Sequence, residues 1–566
     1  MEFVLKAQFF LSLLIIVSGS KFAKVKQTES DNPLITTSLG KIEGSLLTSR
    51  LGKKIYSFRG IRYAKSPTGT LRFQPPEPVE AWTGVYNATV DGPACPQPTY
   101  DIFEISEDCL MLNVYSTKLP TNTENPKRPV IVHFHAGGWY SVTGQSVWAG
   151  PQYLMDKDIV LVTLNYRLGS LGFISTGDKF APGNNGLKDQ VMALKWIKNN
   201  IFSFGGDPDL VTITGYSAGG MSVILHMISP MSKGLFHRAI SMSGAPTAQW
   251  QIGSDQKHLA IKQAEILDCP DTSSSREIFK CLETKTFQDI GGSLGNFSEF
   301  GFDPVLKWTP VIEPDFGQER FLTDDPTVLI QQGKYSKMPL MTGVTSLEFA
   351  NIAYTVTENE TLLNQMNQEF ERIAPISFLY ERNTSRSKLI SAELKKFYFK
   401  NDKINKSHVE QLGQLYADSL IGFGVHRLAQ LTAKNNDYPV YYYRFSYKGM
   451  YSHFYLPGRN DSVPIGPVHH DDLIYLFYIS TLFPLFNDND PSTKIVERLT
   501  TLWYNFAKTG NPTPDKNPIL ERTIWEPLTP INQKFLDIKC HLDMKQMMFN
   551  DRYSLWDRLF PLPNVY

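Results

Sequence analysis

Apolar runs and helical periodicities alternate through the first half of the chain. Pro129-Val130-Ile131-Val132-His133-Phe134 and Ile159-Val160-Leu161-Val162-Thr163-Leu164 are short, continuous and rich in β-branched residues, which predicts strands. Gly186 to Asn200 places Leu187, Val191, Leu194 and Ile197 on one helical face. Val211-Thr212-Ile213-Thr214 and Arg238-Ala239-Ile240-Ser241-Met242 read as two more strands. Strands without polar alternation are buried on both faces, as in parallel sheets covered by crossover helices. The expected fold class is therefore α/β, with a large, mostly parallel central sheet flanked by helices.

The rest of the pattern fills in around that sheet. Leu34 to Leu47 predicts an N-terminal hairpin turning at Leu39-Gly40. Residues 250–335 are polar and less regular, and 355–435 read as a mainly helical insertion. The sheet pattern resumes at Pro339-Leu340-Met341-Thr342 and at Val440-Tyr441-Tyr442-Tyr443-Arg444-Phe445. Ile495 to Lys508 is a closing helix, stopped by Gly510 and Pro512. Length alone would allow several domains, but no Pro/Ser/Gly linker divides the chain, so one domain over 21–566 is expected.

Composition adds compartment and excludes some partners. Lys+Arg and Asp+Glu balance at 56 each, with no basic stripe, which argues against nucleic acid and anionic membranes as partners. Lys6, the apolar run Phe9 to Val17, and small Ser18 and Ser20 read as a signal peptide over 1–20. The apolar run is too short to span a bilayer, so a secreted, extracellular protein without a stable membrane anchor is expected. Asn87, Asn296, Asn359, Asn383, Asn405 and Asn460 are glycosylation candidates that suit that compartment. Among the five cysteines, Cys95/Cys109 and Cys269/Cys281 are the economical local pairs. Each would close a loop worth about 3 kcal/mol in the chain-entropy model. Cys540 is left over, either as a buried thiol or as a bridge between chains. No zinc-type spacing is present, and neither a metal nor a cofactor is implied.

The chemistry centres on Gly215-Tyr216-Ser217-Ala218-Gly219. A β-branched run precedes it and a helix-like run follows, the setting of a nucleophile elbow. The pentapeptide by itself is weak, since a chain of this length carries about 0.2 chance matches. Gly291-Gly292-Ser293-Leu294-Gly295 also fits, but it lacks the strand and leads into Asn296-Phe297-Ser298, read as a surface loop. Context selects Ser217. The elbow's partners follow in the order serine, acid, histidine, each in a loop after a strand. Glu348, just past the strand Pro339–Val344, is the candidate acid. His469 or His470, before a helix expected near Asp472, is the candidate base. Composition does not choose between the two histidines. His135-Ala136-Gly137-Gly138-Trp139 follows a strand and suits an oxyanion loop, with Gly137, Gly138 and Ala218 as donors and Trp139 as a pocket wall.

These motifs resemble the type-B carboxylesterases of the cholinesterase/carboxylesterase family, an α/β-hydrolase group. Phe58-Arg59-Gly60-Ile61-Arg62-Tyr63-Ala64, Ser106-Glu107-Asp108-Cys109-Leu110, Asn165-Tyr166-Arg167 and Gly186-Leu187-Lys188-Asp189-Gln190 carry the likeness. So do Gly206-Asp207-Pro208, the elbow and Trp503-Tyr504-Asn505-Phe506-Ala507. Within the family the chain looks most like secreted insect esterases of the juvenile hormone esterase-like and venom carboxylesterase-like kinds. The resemblance implies Ser217, Glu348 and His469 as the triad, and picks His469 over His470 because the family histidine follows Gly-x-x. It also implies disulfides Cys95–Cys109 and Cys269–Cys281, and a supporting hydrogen bond from Ser243.

Four positions depart from the family pattern. Tyr216 stands where Glu is usual, Phe349 where Gly follows the acid, Ala136 at the first of three usual glycines, and Arg62 for the common Pro. None removes a reacting group. Tyr216 argues against the specialised juvenile hormone esterases, which typically carry Gln there. The short Cys95–Cys109 interval has no Trp, which argues against acetylcholinesterase activity. The function implied is hydrolysis of small to medium apolar carboxylic esters through an acyl-enzyme, with a small-molecule ester as partner. A catalytically inactive binding or adhesion member of the fold and a lipase are the alternatives. The pattern fixes no oligomeric state.

Overall fold

A computed structural model of the chain describes residues 32–98, 103–250, 252–453, 466–487 and 489–563. The expected signal peptide and Asn460 lie outside them. Eleven strands form one sheet. From one edge the order is Leu542–Gln546, Lys534–Ile538, Val440–Phe445, Leu340–Thr345, Arg238–Met242 and Gly206–Tyr216. It continues through Arg128–Phe134, Val160–Leu164, Met111–Ser116, Lys54–Arg62 and Ser45–Thr48. The strands from Val160–Leu164 to Lys534–Ile538 pair in parallel, and antiparallel strands finish both edges.

The continuous apolar runs have a direct cause in this architecture. Val130, Val132 and Phe134 enter the core on one face of the sheet, while Ile131 enters the core on the other. Val160, Val162 and Leu164 alternate with Leu161 in the same way. Helices Asn185–Asn200 and Ala218–Ile228 cover the first face, and Thr493–Thr509 covers the second through Ile495, Leu499, Leu502 and Phe506. The charged residues of the sequence motifs are largely structural. Arg167 grips Asp189 with two hydrogen bonds of 2.8 and 2.6 Å, and Lys188 pairs with Glu313 at 2.6 Å, all buried. Breaking such a buried pair from one side costs about 3–5 kcal/mol.

Several local expectations change. The N-terminal hairpin is Leu34–Thr37 with Gly40–Glu43, turning at Ser38-Leu39. Ser45–Thr48 leaves it to pair with Lys54–Arg62 in the large sheet. The irregular-looking 250–335 stretch contains helices Lys257–Ile266, Ser275–Leu282, Phe287–Gly292 and Pro326–Gln331. Each is too short for periodicity to stand out, and three begin at side-chain caps, Ser274, Thr286 and Asp325. The helix expected near Asp472 is a single 3-10 turn, Leu473–Tyr475. Cys95–Cys109 and Cys269–Cys281 are bonded, with Cα separations of 5.1 and 5.8 Å. Cys540 is a free, exposed thiol rather than a buried one. Asn87, Asn296, Asn359, Asn383 and Asn405 are exposed.

Candidate active site

In open α/β sheets the working groups gather beyond the carboxyl ends of the strands. Four neighbouring parallel strands do this here. Arg128–Phe134 leads to Gly137-Gly138, Gly206–Tyr216 to Ser217, Arg238–Met242 to Ser243, and Leu340–Thr345 to Glu348.

Ser217 occupies the corner between its strand and the helix Ala218–Ile228, at φ 55 and ψ −120. L-residues rarely adopt such a conformation, and strain of this kind costs about 1–3 kcal/mol. The corner is held by the Ser217 N–H, which donates to Met242 O at 2.9 Å. It also requires close approach. A Cβ on Gly219 would collide with the carbonyl oxygen of Phe134. Ser217 itself is 8% exposed and faces a cavity of about 450 Å³.

Glu348 and His469 meet behind that cavity. His469 Nδ1 donates to Glu348 Oε2. The other carboxylate oxygen accepts from Ser243 Oγ at 2.6 Å and from the Thr345 N–H at 2.7 Å. Burial pushes the Glu348 carboxyl above its ordinary range, and the Ser243 and Thr345 hydrogen bonds oppose that. Burial pulls the His469 imidazole down, which keeps it neutral at physiological pH. Its Nε2 is buried and has no hydrogen-bond partner among the described residues. His469 and Ser217 line the same cavity. A neutral imidazole oriented through one nitrogen, with the other free and a serine lining the same cavity, is equipped to accept a proton.

The oxyanion candidates share that cavity. Gly137 has φ 101, and a Cβ there would run into the Ser141 carbonyl. Its own carbonyl accepts from the Tyr140 and Ser141 N–H groups, both at 2.9 Å, which closes the loop. The N–H groups of Gly137, Gly138 and Ala218 donate to no acceptor outside the regular elements among the described residues.

Residues 31–556 match the model of the carboxylesterase family. The chain belongs to that family. It is 39% identical to esterase FE4 of Myzus persicae over 510 residues, 88% of this chain and 87% of that one. It is 35% identical to juvenile hormone esterase of Tribolium castaneum, covering 98% of both chains. The crystal structure of juvenile hormone esterase from Manduca sexta with OTFP covalently attached superposes with a TM-score of 0.82. That likeness has 28% identity, over 94% of this chain and 100% of the other. The fold is thus the α/β-hydrolase fold, and the chain is a carboxylic ester hydrolase.

Among carboxylesterases, two departures of this chain fall directly on the histidine. Phe349 has φ 54, a left-handed conformation that suits the family's usual glycine, and its ring stacks on His469 with centroids 4.0 Å apart. The Tyr216 ring packs edge-on against His469 at 4.9 Å, and its hydroxyl accepts the His470 N–H at 2.7 Å. Aromatic contacts of this kind are worth about 0.5–1.5 kcal/mol each. Sequence reasoning registered both residues as exceptions but had no signal for these contacts.

Two expectations about the pocket need correction. Trp139 does not line the cavity. It is fully buried, its Nε1–H donates to Ser222 Oγ at 3.0 Å, and its ring packs near Phe173. The next residue, Tyr140, lines the cavity instead. The stretch after the second elbow-like pentapeptide, Asn296-Phe297-Ser298, is not a plain surface loop either: Asn296 is exposed, but Phe297 is buried and closes a 3-10 turn, Ser293–Phe297. Ser293 is buried and donates to Ile290 O at 2.7 Å, while Gly292, Leu294 and Gly295 line the cavity. Leu306, Leu420 and Ile421 help to make its wall apolar.

Proposed function

We propose that the protein hydrolyses small to medium apolar esters with Ser217 as nucleophile, His469 as base and Glu348 as its orienting acid. His469 Nε2 takes the Ser217 Oγ proton as the oxygen attacks the ester carbonyl carbon. The N–H groups of Gly137, Gly138 and Ala218 receive the oxyanion. His469 then gives its proton to the departing alcohol. Water, deprotonated by the same nitrogen, releases the acid from Ser217.

The observation that carries this reading is the free, buried Nε2 of His469 in the cavity that Ser217 faces, with Nδ1 tied to Glu348. The cavity's largely apolar wall and volume of about 450 Å³ support apolar esters of modest size. The leader-like N-terminus and two disulfides support secretion. Among the described residues, no helix is long and apolar enough to cross a membrane.

Ser217→Ala tests the mechanism. Its kcat on a short-chain p-nitrophenyl ester should fall on the order of 10⁶-fold. Wild-type turnover by this variant would sink the assignment. The same assay run against emulsified triglyceride separates an esterase, which prefers the dissolved ester, from a lipase.

A further inference from the structure

One wall of the cavity carries a cation that ester hydrolysis does not use. Lys307 is 6% exposed, and it lies in the apolar run Val305-Leu306-Lys307-Trp308. Its ammonium donates to the carbonyl oxygens of Phe302 at 3.0 Å and Pro304 at 3.1 Å. It also sits over the rings of Phe302 at 4.2 Å and Tyr140 at 5.5 Å. Lys307, Phe302 and Tyr140 all line the cavity. An ammonium has three protons to donate, and two are taken. The third has no partner among the described residues. The facing acid is Asp303, buried and bound by the Tyr416 hydroxyl at 2.7 Å, with no hydrogen bond to Lys307 among the described residues. Burial pulls Lys307 down to about 8, against the pull of Asp303, so it is still largely charged at neutral pH.

A lysine kept only for packing would be better replaced by methionine. A buried charged donor left unsatisfied costs about 1–3 kcal/mol or more. Water in the open cavity can accept the third proton, so the cost returns when a bound chain displaces that water, unless the chain itself accepts the proton. An all-hydrocarbon chain cannot do so.

We propose that Lys307 is a specificity residue selecting esters whose chain carries a second oxygen acceptor, a ketone or carboxylate group, at the end away from the scissile ester. The inference rests on the proposed site, with the scissile carbonyl at Ser217 and the second oxygen at Lys307. It names the substrate class of that site.

The test is a ladder of p-nitrophenyl esters from four to ten carbons, each made with a methyl, a ketone or a carboxylate end. At one or more lengths, wild-type kcat/KM for an oxygen-ended ester should exceed that for its methyl-ended twin by about tenfold. Lys307→Met should bring that ratio to one or below, and Lys307→Gln, which keeps a donor, should retain part of it. A wild-type ratio at or below one at every length overturns the proposal without any variant. So does a ratio that survives in Lys307→Met. Fluorophosphonate labelling of Ser217 in each sample shows whether the site is assembled. Turnover of methyl-ended esters without preference counts against Lys307 alone. No turnover and no Ser217 adduct in the wild type counts against both readings.

Discussion

The serine corner and the histidine loop sit at the same end of the sheet but are held in different ways. Ser217 is fixed by its sequence neighbours: a strand ends at Tyr216, a helix begins at Ala218, and small residues let the two meet. His469 is fixed from a distance. The carboxylate bound to it, Glu348, is 121 residues away, and the Tyr216 hydroxyl that holds the next N–H is 254 residues from His470. Among the described residues next to His469 in the chain, regular structure amounts to one 3-10 turn. A nucleophile can be written into a pentapeptide and its flanks. A base held by contacts from several strands depends on the whole topology.

The sharpest way to break this comparison is to remove the distant support while leaving the corner alone. Glu348→Gln keeps the shape but loses the charge that fixes the His469 tautomer, so kcat should fall about 10⁴-fold. A loss within tenfold would mean that Phe349 and Tyr216 orient the ring without the acid. Next comes the locally coded loop. Gly137→Ala forces a Cβ against the Ser141 carbonyl and displaces an oxyanion donor, which should lower kcat by about 10²–10³-fold. Unchanged kcat would move the oxyanion hole elsewhere.

The smallest effect concerns stability around the histidine loop. Burial, then repulsion from Glu348, raises Asp472 from 3.8 to about 7, opposed by hydrogen bonds that include the Tyr216 and Tyr443 hydroxyls. Between those pH values the folded chain keeps a proton that the unfolded chain has lost. Stability from this group is therefore present at low pH and is lost as pH rises through about 7. The buried histidines have the opposite sign, so the informative quantity is wild type minus Asp472→Asn. That difference should fall with pH by up to about 1.4 kcal/mol per unit, read from denaturant midpoints between pH 4 and 7. Parallel curves would show that Asp472 is ionised throughout.

The same contrast explains what could be read from the sequence. Strands buried on both faces announce themselves, which is why the runs around Val132, Leu161 and Ile213 give the central sheet. The elbow and the glycine loop are visible because their backbone demands small residues. Chain order made Glu348 and the two histidines candidates, but only family motifs settled on Glu348 with His469, because a loop carboxylate has no local mark of its partner. Trp139 was misplaced because a positive φ of 63 turns it into the core, and sequence carries no sign of that turn. Lys307 did leave a trace, a lone cation inside an apolar run, but only the fold puts that run on the cavity wall.

The most direct test of the central claim is to treat the purified protein with a fluorophosphonate and map the adduct by peptide mass. The account predicts a single adduct, on the peptide containing Ser217, and its loss in Glu348→Gln on the same timescale. A folded protein that takes no label, or takes it on the Ser293 peptide, would contradict it.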